Sequence, residues 1–194
     1  MSRVSQERKI AGLRFSIAAM KFFVFLFACG LSCVSGSSLA QTQAHDMTVE
    51  VLGVYFTPPA HAAAAIVNAI DASEHEVLVQ AYGFTHNALA QALVRAHQRG
   101  VNVQVLLDKK SQASNRYVIA VLEEAEIAVR QDGKHAIAHN KVMVIDQDVV
   151  ITGSFNFTNS AATRNAENFL VLRSADLAEQ YRVQWHSHWA HGVE

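Results

Sequence analysis

Three consecutive stretches decide the fold: Glu76-Val-Leu-Val-Gln-Ala-Tyr82, then Asn87 to Arg99, then Val101-Asn-Val-Gln-Val-Leu-Leu107. The outer two are rich in β-branched residues and read as strands. The middle one carries helix formers and stops at Gly100, a residue suited to closing a helix. Strand, helix, strand implies a right-handed crossover between parallel neighbours. Outward from this unit the rhythm continues. Thr48 to Phe56 reads as a strand ending at Pro58-Pro59, Pro59 to Asp71 as a helix, and Asn115 to Glu124 as another helix. Then short loops replace helices: Ile127 to Arg130, Ala138 to Ile145, Val149 to Ser154 and Asn168 to Leu172 read as strands. A last helix runs from Asp176 to about His188. The expectation is one α/β domain with a mixed, largely parallel sheet flanked by helices on both faces.

The 194 residues are 51% hydrophobic with only 9 Gly and 2 Pro, which excludes disordered and collagen-like classes. The net charge of −1 conceals an asymmetry. Residues 1–40 hold five of the 16 basic residues (Arg3, Arg8, Lys9, Arg14, Lys21) and one of the 17 acidic ones, Glu7. The remainder carries 11 basic and 16 acidic residues, a net of −5, and all ten His. A broad basic surface is therefore excluded, and any attraction for nucleic acid must be local.

Basic residues up to Lys21, an apolar run from Phe22 to Val34, and the small residues Ser38 and Ala40 follow the order of a secretory signal peptide. Residues 1–40 are read as that signal, with cleavage after Ala40, export to the periplasm and no stable membrane association of the product. The alternative is an uncleaved anchor, since residues 22–44 carry no charge. Both cysteines, Cys29 and Cys33, lie in the signal, so residues 41–194 have no thiol chemistry.

Chemistry concentrates between His139 and Asn156. Side chains alternate along a strand, so His139 and Lys141 point the same way. Ser154 and Asn156 are likewise two apart at the end of the next strand, and a turn at Asp146-Gln-Asp148 folds the strands together. An imidazole, an ammonium, a hydroxyl and a carboxamide would then meet at one place. Such a group suits a phosphate, with donors holding the oxygens while an imidazole attacks or moves a proton. Gly153 allows close approach of backbone to a ligand. Each residue alone has an ordinary explanation: a polar strand His, an edge Lys, a Gly-Ser turn. The combined spacing does not.

That spacing resembles the phospholipase D superfamily, whose HKD motif is followed by Gly-Ser-x-Asn. Asp108-Lys-Lys-Ser-Gln112, Gly153-Ser-Phe-Asn-Phe-Thr158 and Asn165-Ala-Glu-Asn168 look like the small bacterial endonuclease branch called Nuc, and the likeness covers nearly all of residues 46–190. The resemblance implies an α-β-α sandwich in residues 41–194 and a metal-independent phosphodiesterase with no cofactor. It implies that His139 attacks phosphorus and forms a phosphohistidine, and that Lys141, Ser154 and Asn156 bind phosphate oxygens. Glu167 is expected to orient the imidazole, and Asp146 to support the strand turn. A second imidazole must protonate the leaving oxygen, and one motif supplies one. A two-fold homodimer would bring two copies of His139 together. The implied substrate is DNA, with RNA left open beside it. The rivals are a lipid phosphodiesterase of the same chemistry and a non-catalytic nucleic-acid- or membrane-binding module.

Three further features were weighed. His186, His188 and His191 do not share a helical face, so metal binding there is discounted, and Trp185 and Trp189 are assigned to the core. His135 is placed beside the phosphate site or on the surface. Phe155 and Phe157 are assigned to packing rather than base stacking, and Lys109, Lys110, Arg116, Lys134 and Arg164 to a possible nucleic-acid path.

Overall fold

The central strand of the computed structural model explains why its sequence does not alternate. β2 (Glu76–Ala81) is buried along nearly its whole length. Val77, Val79 and Ala81 face one apolar layer and Leu78 the other, so both faces demand hydrophobic residues. The structure describes residues 47–58 and 61–193. The predicted signal lies outside them, as do Pro59 and Ala60 at the expected start of the first helix.

The other elements are β1 (Glu50–Thr57), α1 (Ala62–Asp71), α2 (Asn87–Gln98), β3 (Asn102–Asp108), α3 (Gln112–Glu124) and β4 (Ala128–Asp132). They continue through β5 (Lys141–Ile145), β6 (Val149–Gly153), α4 (Asn159–Thr163), β7 (Glu167–Arg173) and α5 (Ala175–Trp189). The seven strands form one sheet in the order β1-β7-β6-β5-β2-β3-β4. Helices cover both faces. Leu89, Leu93, Val118 and Leu122 pack on one side with α1, while Ala178 and Trp185 of α5 cover the other. The Trp185 indole N–H donates to Val79 O at 3.0 Å, which satisfies the ring's one polar atom inside the core. Arg95 of α2 grips Asp71 of α1 through two bonds of 3.0 and 2.8 Å. Among the described residues, no helix is long and apolar enough to cross a membrane.

The mixed α/β architecture stands as expected, but its parallel share is smaller than the sequence suggested. Only β2–β3 and β3–β4 pair in parallel. β5 returns antiparallel to β2, and β6, β7 and β1 continue as an antiparallel meander. The reason is the connection: after β4 the chain reaches β5 through an irregular loop, residues 133–140, instead of a crossover helix. The expected strand start at Ala138 is therefore loop, and the strand begins at Lys141. The short α4 was not anticipated. Thr158 caps it, its hydroxyl accepting from Ala161 N at 3.1 Å.

Candidate functional site

The turn between β5 and β6 brings the two halves of the motif together. Asp146 and Gln147 both take positive φ, 51° and 65°, within the three-residue turn that joins Ile145 to its partner Val149. The hairpin runs β6 back along β5, with Val142 opposite Thr152. The far ends of the strands then place His139 and Lys141 beside Gly153 and Ser154, and β7 delivers Glu167. His139, Lys141, Gly153, Ser154, Asn156 and Glu167 line one open depression. The five residues expected to act on the phosphate, His139, Lys141, Ser154, Asn156 and Glu167, thus converge.

Each is held by its neighbours. Lys141 is buried, and its Nζ donates to His139 O at 2.8 Å. Burial lowers its pKa, while nearby Glu167 acts in the opposite direction. Ser154 Oγ donates to Glu167 Oε2 at 2.7 Å and accepts from Asn168 N at 3.1 Å. Asn165 Nδ2 reaches the other carboxylate oxygen at 3.1 Å. Asn156 Oδ1 is buried without a hydrogen-bond partner, which costs roughly 1–3 kcal/mol until a bound group or ordered water meets it. His139 itself is exposed, its ring edge-on to Tyr82 at 4.8 Å. Its backbone is anchored on both sides: Ala138 N donates to the buried Asp108 at 2.8 Å, and Tyr82 N donates to Asn140 O at 2.9 Å. The arrangement presents an accessible imidazole nitrogen beside a half-sequestered cation and a hydroxyl, able to grip an anionic oxygen while the imidazole engages the central atom.

Asp146, expected to support the strand turn, does so away from the depression and lines no part of it. It stands at the opposite end of β5, about 16 Å along a five-residue stretch of strand. Its carboxylate caps the entrance to β2, accepting from the backbone N–H of Glu74, His75 and Glu76 at 2.9, 2.7 and 3.0 Å. Burial would raise its pKa, but those three bonds pull it below its ordinary value. Glu167 bonds Ser154 and Asn165, with no hydrogen bond to the imidazole it was expected to orient. Gly153, besides lining the depression, is required by the sheet, for a Cβ there would sit 2.3 Å from Asn168 O and 2.6 Å from Phe169 Cα. Phe155 and Phe157, both 1% exposed, are core.

Sequence reading missed Asp108 and Asn115 as supports. Asp108 ties β3 to the residue before His139, and also accepts from Ser111 N and Oγ. Asn115, fully buried on α3, accepts from Phe84 N and donates to Tyr82 O. A polar residue alone among the apolar positions of α3 was the available signal. It also missed a convergence of His residues. The depression holds no set of three metal-ligating groups, but Asp132, His135, His188 and His191 gather elsewhere. Helical periodicity could not show this gathering, because α5 ends at Trp189 and His191 lies beyond it. His135 joins them and does not border the phosphate site.

Residues 66–189 match the family described as cardiolipin synthase, PLD-like domain. A phospholipase D of Rickettsia conorii is 37% identical over 164 residues, covering 84% of this chain and 82% of that relative. A phospholipase D of Rickettsia felis is 44% identical over 130 residues, covering 67% of this chain and 65% of the relative, so the chain spans just under two thirds of that protein. Among solved structures, Nuc from Salmonella typhimurium, a phospholipase D family member, superposes with a TM-score of 0.70 at 32% identity, covering 76% of this chain and 97% of that one.

Proposed function

We propose that this chain, which belongs to the phospholipase D superfamily of phosphodiesterases, is an endonuclease that cleaves DNA, and RNA in addition, with little sequence preference. The observation that carries the reading is the convergence of His139, Lys141, Ser154, Asn156 and Glu167 on one open depression. In the proposed reaction an imidazole nitrogen of His139 forms a bond to phosphorus as the bond from phosphorus to the leaving oxygen breaks. Lys141, Ser154 and Asn156 hold the non-bridging oxygens. Glu167 keeps Ser154 in place and sets the potential around Lys141. A second imidazole protonates the leaving oxygen, then takes a proton from water as water displaces His139 from phosphorus. The charges of the oxygens are met by protein groups, so no step is routed through a metal.

The second imidazole is assigned to a partner copy. The edge strand β1 supports this: Val51, Val54 and Phe56 are 57%, 53% and 66% exposed, an apolar row on an open sheet edge. The row ends beside the depression, because Thr57 pairs with Glu167 and its hydroxyl donates to Asn165 O at 3.0 Å. A two-fold contact at this edge would set two depressions near one another. The proposed place of work is the periplasm, after removal of residues 1–40, in which case the processed protein begins at Gln41.

A lipid phosphodiesterase is the second reading, favoured by the phospholipase D relatives and by the acidic balance of residues 41–194. One assay separates them: the purified protein with plasmid DNA and, in parallel, phosphatidylcholine vesicles, each with excess EDTA. The nuclease reading expects nicked and linear DNA in EDTA and intact lipid. Headgroup release with intact DNA would replace it with the lipid reading. DNA cleavage that EDTA abolishes and Mg²⁺ restores would overturn the mechanism.

A further inference from the structure

Four side chains from separate parts of the chain meet beside the loop that carries His139. Asp132 ends β4, His135 lies three residues into the loop, His188 is in the last turn of α5 and His191 follows that helix. One donor atom from each lies within 4.8 Å of all the others. Asp132 is 1% exposed. Its Oδ2 meets His188 Nδ1 at 2.8 Å and His135 Nδ1 at 2.9 Å, and its Oδ1 faces His191 Nε2 at 3.3 Å. Lys134 N donates to Oδ1 at 3.0 Å. The imidazoles crowd together, with His135 stacked on His188 at 4.6 Å and His191 at 5.4 Å from both.

A polar network closed on itself would be one account of such a group, and two observations tell against it. His191 Nε2 is buried and, although 3.3 Å from Asp132, has no hydrogen bond of acceptable geometry. A third imidazole thus aims a nitrogen into the cluster without making a bond. Second, two imidazoles converge on the same carboxylate oxygen. A cation bound by all three rings, each giving up a proton, and by the carboxylate would relieve that sharing and engage the third ring as well. Burial would raise the Asp132 carboxyl, but the bonds from His188, His135 and Lys134 N–H hold it well below the usual carboxylate range, so it is available as an anionic ligand.

We propose that Asp132, His135, His188 and His191 form a structural zinc site that clasps the end of α5 and the loop 133–140 to the end of β4. Three imidazoles and one carboxylate are a ligand set for zinc, whereas Mg²⁺ and Ca²⁺ take oxygen shells. Tetrahedral zinc with bonds of about 2.1 Å places its ligand atoms about 3.4 Å apart. The 2.8 and 2.9 Å distances from Asp132 Oδ2 to His188 and His135 are close to that edge. His191 faces the other oxygen at 3.3 Å, and the four ligand atoms lie within 4.8 Å of one another, so side-chain rotation has to close the shell. Four protein ligands close the shell, which marks a structural rather than a catalytic ion. Gln184 Nε2 lies 2.8 Å from the outer nitrogen of His188; with the amide turned over, its carbonyl oxygen would accept from that nitrogen and orient a ligating ring from behind. The clasp would fix the loop four residues before His139 and take no part in the bond changes.

The test is zinc content and stability of the purified protein. After stripping with chelator and return of Zn²⁺, desalted protein should retain about one zinc per chain by elemental analysis. Zinc at about 100 times the dissociation constant should raise Tm by roughly 5–10 °C. Cobalt in its place should give the visible absorption of a tetrahedral ion. His191→Gln, at a partly exposed ring, should lose both the uptake and the Tm shift, and Asp132→Asn should do the same if it folds. His186→Ala and His139→Ala should keep both, which separates the cluster from adventitious zinc on α5 or at the depression. Less than about 0.1 zinc per wild-type chain at micromolar free zinc would overturn the proposal, as would uptake that survives His191→Gln.

Discussion

At the scale of single residues, the account assigns different work to two acids of the motif. Glu167 holds Ser154 at 2.7 Å in the depression, so Glu167→Gln should weaken the grip on phosphate while leaving the imidazole in place. Turnover should fall by roughly 10–100-fold, the worth of one hydrogen bond to a charged group, with thermal stability close to wild type. A variant within about twofold of wild type would remove Glu167 from the machinery. Asp146 belongs to stability alone. Its folded pKa is depressed, so its contribution is full above the ordinary carboxylate value of about 3.9 and is lost as pH falls through the folded value. Asp146→Asn should therefore cost about 1–3 kcal/mol in urea unfolding at pH 7. The gap to wild type should narrow below about pH 4, and a gap independent of pH would contradict this assignment. The spacing of the motif told that an Asp stands five residues after Lys141, but spacing carries no direction. Five steps along an extended strand put it at the far end, a distinction only the paired strands make visible.

At the scale of elements, the strands and helices that carry strong periodicity were legible. β2, α2 and β3 lie within a residue or so of the stretches that opened the reading, because each buries enough apolar surface to force its own conformation. Less was legible where the connection matters more than the segment. Nothing in Lys141 to Ile145 says whether the strand pairs with β2 in parallel or antiparallel, since the residues suit both. The same limit hid the cluster of Asp132, His135, His188 and His191, joined by the end of a helix and not by any local pattern. Gly153 offers a test at this scale. Its missing side chain lets β6 pass β7, and two of the three atoms that a Cβ would strike are backbone. Gly153→Ala should cost about 1–3 kcal/mol, or several degrees in Tm, and reduce activity by displacing Ser154, whose N–H bonds Asn168 O at 2.9 Å. An unchanged Tm would show that the two strands can part without penalty.

At the scale of the whole molecule, the account turns on the second imidazole. Among the described residues no other His lines the depression with His139, and the exposed apolar row of Val51, Val54 and Phe56 reaches its rim. The central claim is that two copies of His139 divide one reaction, one attacking phosphorus and the other handling the proton. The most direct test is the specific activity of an isolated heterodimer of wild type with His139→Ala, separated by tags of different charge. The mutant removes chemistry rather than packing, because the His139 ring is exposed and its backbone is held by Asp108 and Tyr82. Loss of one general acid or base costs roughly 10²–10⁴-fold, so the heterodimer should be nearly inactive. Half of wild-type activity in that heterodimer would show that each subunit works alone and would contradict the shared site.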